Sequence, residues 1–235
     1  MNIKKLAAAG LIFVSTSFGA SAATFDFVDL IDGPGGVDGI ANGAGDINGE
    51  SSWSDSLVSG GWTKDGITLD VTASGSEWSD GFLDAGAAGL GVCSSEKGCV
   101  SGDSGAVTGD DNLGFVGGAS SGVLETLFLT FSKEVRITDL ILRDADHNEL
   151  VDGDLFWIAE LGGELAYTAG GVDLSGLGAY GMFTIERRIN SDGSAKGPEL
   201  YISAMTVSAI PLPAGSLLLI TGMGGIAALR RRRKS

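Results

Sequence analysis

Apolar and polar positions alternate over Ile67-Thr-Leu-Asp-Val-Thr72, the two-residue period of a strand with one face buried. The same period returns in Leu124–Phe131 and in Val135–Arg143, with Ser132-Lys133-Glu134 predicted as a tight turn between them. Within the second of these the apolar phase slips from Val135 and Ile137 to Leu140 and Leu142, which predicts a β-bulge near Asp139. Leu155–Leu161 and Glu164–Thr168 flank Gly162-Gly163, a two-residue hairpin signal. Gly181–Ile189 and Leu200–Ala209 read as a last strand pair around the Ser191–Gly197 loop, and Phe25–Leu30 as an early strand. No stretch holds a helical period. Many short strands separated by Gly-rich turns predict an all-β domain, an antiparallel β-sandwich of jelly-roll type. Asp32–Gly60 is irregular and reads as a long loop or edge structure.

The two ends of the chain follow other rules. Lys4 and Lys5 precede an apolar run from Leu6 to Val14 and the small residues Ala20-Ser21-Ala22. That order is a secretory signal peptide over residues 1–22, with cleavage before Ala23 by signal peptidase. At the other end, residues 210–235 hold three blocks: Ile210-Pro211-Leu212-Pro213-Ala214-Gly215, an apolar run Ser216–Leu229, and Arg230-Arg231-Arg232-Arg233-Lys234-Ser235. From Ile210 to Leu229 is 20 residues, just enough for a transmembrane helix. The cations would hold its end on the cytoplasmic side. A plain tail anchor and a sorting signal that is later cut both fit these blocks.

Composition shifts once the ends are set aside. The domain over residues 23–209 has 187 residues, enough for one sizeable core. It carries eight cations against all thirty acids, a net charge of −22. That charge excludes nucleic acid as a partner, since nucleic-acid binding needs basic patches. The chain has 39 glycines without a fixed repeat, so a collagen-like or calcium β-roll architecture does not fit.

Candidate chemistry is sparse. Cys93 and Cys99 are the only cysteines, and in an oxidising exported setting they read as a disulfide rather than a metal pair. Closing so small a loop stabilises by roughly 2 kcal/mol in the chain-entropy model. The densest set of oxygen donors is Asp144, Asp146, Asn148, Asp152 and Asp154, a candidate site for calcium, which takes hard oxygen ligands in sets of six to eight. Asp110, Asp111, Asn112 and Glu125 would add donors if their loops meet it. Glu149 stands where an EF-hand needs Gly and Leu155 where it needs Glu, so the loop is not an EF-hand. A solvated acidic turn is the alternative.

His147, the one histidine, sits in the same stretch and reads as solvated or weakly ligating. Gly118-Ala-Ser120-Ser-Gly122 has the letters of a nucleophile elbow but leads into a strand rather than a helix, so no catalytic residue is assigned. Trp53, Trp62 and Trp78 lie in polar surroundings and would either stack on sugar rings or close the end of the core.

The last 26 residues, Ile210-Pro-Leu-Pro-Ala-Gly with Leu217-Leu-Leu-Ile-Thr-Gly-Met-Gly-Gly225 and Arg230–Lys234, resemble the PEP-CTERM sorting domain in its Val-Pro-Leu-Pro-Ala variant, with Ile210 in place of Val. The resemblance implies an exosortase-type membrane protease as a partner in a Gram-negative bacterium that makes exopolysaccharide. It further implies export through the inner membrane, transient anchoring through the C-terminal segment, and a final place at the cell surface or outside the cell. The expected function is then a non-enzymatic surface or biofilm-matrix protein. A calcium-dependent carbohydrate-binding module and a polysaccharide hydrolase are the alternatives.

Overall fold

The computed structural model describes residues 21–32, 51–55, 58, 60–84, 88–94, 112–114, 123–168, 171–189 and 195–210. Residues 1–20, the Pro-Leu-Pro-Ala motif, the apolar block, the basic stop, Cys99, Asp110, Asp111 and the segment Gly118–Gly122 lie outside the described residues. Among the described residues no helix is long and apolar enough to cross a membrane.

The described residues are mostly antiparallel β-sheet, with almost no helix. The first elements are β1 (Ala22–Asp26), a short helix α1 (Phe27–Asp32), β2 (Ser51–Ser52), β3 (Trp62–Lys64), β4 (Ile67–Ser74), β5 (Asp80–Asp84) and β6 (Gly89–Cys93). There follow β7 (Thr126–Asp144), β8 (Leu155–Ile158), β9 (Gly163–Thr168), β10 (Gly171–Val172), β11 (Tyr180–Glu186), β12 (Arg188–Ile189), β13 (Ala195–Lys196) and β14 (Leu200–Ala209). Twelve strands join in the order β10-β9-β8-β11-β7-β14-β6-β5-β2, with β1 also on β14, β4 also on β7 and β3 on β4; β12 and β13 form a separate hairpin.

β7 organises the sheet. Its 19 residues run unbroken through Ser132-Lys133-Glu134, where the sequence predicts a turn. No Gly, Pro or Asn stands there, so the backbone stays extended and the strand changes neighbours instead. Its first part, Thr126–Phe131, lies between β4 and β11, and its second part, from Val135 to Asp144, pairs with β14. The predicted bulge is present: Asp139 faces Thr206 and Ile137 faces Val207, leaving Thr138 as the extra residue. That single insertion returns Leu140 and Leu142 to the buried face already occupied by Val135 and Ile137.

Three other expectations change. β11 and β14 do not pair with each other but flank β7, and the hairpin around the 190–194 loop is β12 with β13. The crossover is fixed by buried Arg187, whose Nε and Nη2 donate to Gly197 O at 3.0 and 2.6 Å while Nη1 meets Glu199 Oε1 at 3.3 Å. Gly197 can serve there because its φ is +84° and a Cβ would lie 2.1 Å from Leu155 O. β8 and β9 do form a hairpin, but its turn is a 3-10 turn at Ala159–Leu161 closed by Gly162 at φ 65°, longer than the two residues expected. The early strand stops at Asp26, because Asp26 Oδ1 accepts the Asp29 N–H at 2.8 Å and starts α1.

The core forms where side chains from the β1–β14 part of the sheet meet those from the β3–β4–β11 part. Phe25 sits edge-on to Trp62 at 5.2 Å and to Phe131 at 6.1 Å, and Phe131 edge-on to Phe183 at 6.0 Å. Trp53 and Trp62 are buried, so both close the core, whereas Trp78 is 49% exposed. Because Phe25 is fully buried and bridges both parts, Phe25→Ala should destabilise the domain by about 3–5 kcal/mol. Urea unfolding followed by tryptophan fluorescence measures this.

Candidate functional site

A group of polar side chains gathers where β7 ends and β14 begins. Beyond β7 the chain turns back sharply, and Asp144 makes the turn. Its Oδ1 accepts the N–H of Asp146 and of Asn148, each at 2.9 Å, while its own N–H donates to Asn148 O at 2.8 Å. This Asx-type closure sets His147 in the left-handed region, at φ 63°. The turn is held down on both sides. Arg143 Nη1 donates to His147 O at 2.7 Å, and His147 Nε2 lies 3.1 Å from Asp84 Oδ2. Asp84, the last residue of β5, is buried, and the imidazole edge meets the buried Tyr201 ring at 5.4 Å. His147 is therefore an anchor between the turn and the β5–β14 region, not the solvated residue that an acidic loop suggests.

A second turn follows the same logic. Asp154 Oδ2 accepts the Val151 N–H at 2.9 Å, and Asp154 O accepts the Tyr167 N–H at 2.8 Å. Burial, with Glu149 and Asp139 nearby, pushes the Tyr167 phenol above its ordinary range, against a smaller pull from Arg143.

The five donors proposed for calcium are thus spread over two turns. Asp144 and Asp154 each spend a carboxylate oxygen on the backbone of their own turn, while Asp146, Asn148 and Asp152 are exposed. Among the described residues no three His, Cys, Asp or Glu side chains converge as they would around a metal ion. Glu125 stands apart from this stretch. It is buried, and its Oε2 accepts the Gly114 N–H at 2.9 Å, which clamps the Asn112–Gly114 segment beside β14. Cys93, buried at the end of β6, is disulfide-bonded.

Beside the first turn an open cleft of about 340 Å³ lies between the end of β1, β7 and β14. Asp26, Asp29, Arg143, Glu149 and Ser203 supply its polar lining, and Val28, Ile141 and Ala204 its apolar floor. Ser203 is the extra residue of a second bulge, between Ile202 and Ala204, and its Oγ donates to Ala88 O at 3.0 Å. Three carboxylates that accept and one guanidinium that donates suit a ligand rich in hydroxyl groups. Neither the cleft nor the Asp84–His147 pair is visible along the sequence, since each joins residues more than fifty positions apart. The one local signal is that Asp84 ends an apolar strand, where a carboxylate needs a partner.

No protein-family model matches the chain, and no curated protein or solved structure matches it.

The pair between buried Asp84 and His147 is expected to contribute to stability. Asp84→Ala and His147→Ala should each cost about 1–3 kcal/mol, the range for leaving a buried polar group without its partner. In a double-mutant cycle the two losses should fall short of adding. Strict additivity in urea unfolding would show that the two side chains do not act together.

Proposed function

We propose that the chain is an exported, non-enzymatic component of the cell surface or extracellular matrix. Residues 1–22 carry it through the inner membrane, and residues 210–235 hold it there until an exosortase-type protease releases it. Residues 23–209 we read as an acidic antiparallel β-sandwich of jelly-roll type, working in contact with exopolysaccharide. The observation that supports this most is where the sheet stops. It runs from Ala22, the last residue of the first address segment, to Ala209, the residue before the second, with almost no spacer at either end. The disulfide at Cys93 suits an oxidising compartment.

The test is the intact mass of the native protein from surface and culture fractions. A chain beginning at Ala23 and ending near Pro213 or Ala214 is expected. Retention of everything to Ser235 in the inner-membrane fraction would instead mean a plain anchor.

The cleft supports a second reading, a glycan-binding module. Its lining of Asp26, Asp29, Glu149 and Arg143 offers hydroxyl acceptors and donors together. Calorimetric titration with neutral polysaccharides should then give heat that Arg143→Ala removes. A flat titration across the panel rejects this reading, and release of shortened products would point to a hydrolase.

A further inference from the structure

The core takes one side of the sheet, and the other side is not uniformly polar. In the first part of β7, Leu127, Leu129 and Phe131 are buried, so Thr126, Phe128 and Thr130 point away from the core. Phe128 faces Thr72 of β4 on one flank and Thr184 of β11 on the other. One rung on, Thr126 faces Ser74 and Glu186. Glu186 in turn faces Trp157 of β8, and Trp157 faces Glu164 of β9. One rung the other way, Met182 stands opposite Thr130. Residues paired across antiparallel strands share a face, so Phe128, Trp157 and Met182 lie on one outer surface built from β4, β7, β11, β8 and β9. The burial of Phe156, Ile158, Phe183 and Ile185 at the alternate positions agrees with this.

On a sheet face turned to solvent, alternation calls for polar side chains at these positions. Instead Phe128 and Trp157 are half-buried, and Met182 is 45% exposed. Two strands and two residues of rise separate the aromatic rings, a diagonal of about 12 Å. The hydroxyls of Thr72, Thr126 and Thr184 and the carboxylates of Glu164 and Glu186 surround them. Among the described residues of this face there is no Lys or Arg. A face without cations does not suit a polyanion or an anionic lipid surface. Like charges also oppose stacking of two copies, since residues 23–209 carry a net charge of −22. A neutral sugar chain meets both features. Its ring faces cover aromatic side chains, and its hydroxyls donate to carboxylates and exchange hydrogen bonds with threonines.

We infer that this outer face is a platform for a neutral polysaccharide chain, with Phe128 and Trp157 stacking on sugar rings along the diagonal. This rests on the proposed contact with exopolysaccharide and locates that contact on the sheet, apart from the cleft at Arg143.

The native protein, recovered from its own cells, is run in non-denaturing gels containing hydroxyethyl cellulose, laminarin, galactomannan or dextran, with alginate as the anionic control. At least one neutral polymer should retard it, and alginate should not. Trp157→Ala should weaken the retardation about tenfold, Trp157→Tyr should keep most of it, and Arg143→Ala should leave it unchanged. Thr72→Arg lays a long side chain over Phe128 from an exposed position, and should weaken retardation without moving the melting temperature. Retardation by no neutral polymer, or retardation kept in Trp157→Ala, would overturn the platform. Equal retardation by alginate would overturn the neutral class. Dimerisation in ultracentrifugation that Trp157→Ala removes, without retardation, would assign the face to a second copy instead. None of these results alters the export reading, which the intact mass decides, and retardation lost only in Arg143→Ala would move the glycan to the cleft.

Discussion

The sheet depends on one strand keeping its buried face through a change of partners. β7 lends its first part to β4 and β11 and its second to β14, so both parts of the sheet share a single backbone. A regular strand of this length would turn its apolar side chains outward as soon as the alternation slipped. The extra residue at Thr138 absorbs the slip, and the Thr138 hydroxyl donates to Thr206 O at 3.2 Å across the irregularity. Without that insertion Leu140 and Leu142 would face solvent, and the core would lose both side chains.

The elements that were legible in the sequence are those where the local pattern already contains the physics. Alternation marks β4, and the phase slip marks the bulge in β7, because burial acts on every second residue whichever strand lies alongside. Partner choice was not legible. The Ser132-Lys133-Glu134 stretch looks like a turn because it is polar, yet nothing in it bends the backbone. β11 and β14 look like a hairpin because they are neighbours in sequence, yet the Arg187 guanidinium, gripping Gly197 O, carries the chain across β7 instead.

The same limit governs the polar residues. Acidic density drew attention to Asp144–Asp154, but density does not say where a carboxylate spends its lone pairs. Two of these aspartates spend them on their own turns. The arrangements that do join distant parts of the chain, Asp84 with His147 and Asp26 with Arg143 and Glu149 around the cleft, become neighbours only through the ladder, whose registers alternation cannot specify. Glu125 belongs to the same class, a buried carboxylate whose partner is a backbone amide on another segment.

The antiparallel pairing of β1 with β14 also has a mechanical side. Because the two strands run in opposite directions, Ser21 and Ile210 leave the sheet at the same edge. A force that draws the two ends apart therefore loads the bond from Ala209 N–H to Ser21 O first, then the pair Ala22–Ser208, then Ala23–Val207, and so on inward, one rung at a time. Strands loaded in this way open like a zipper and resist weakly, unlike strands whose ends point apart and which shear all their bonds together. The β1–β14 pair is thus the part of the sheet that yields first to a force applied at Ser21 and Ile210.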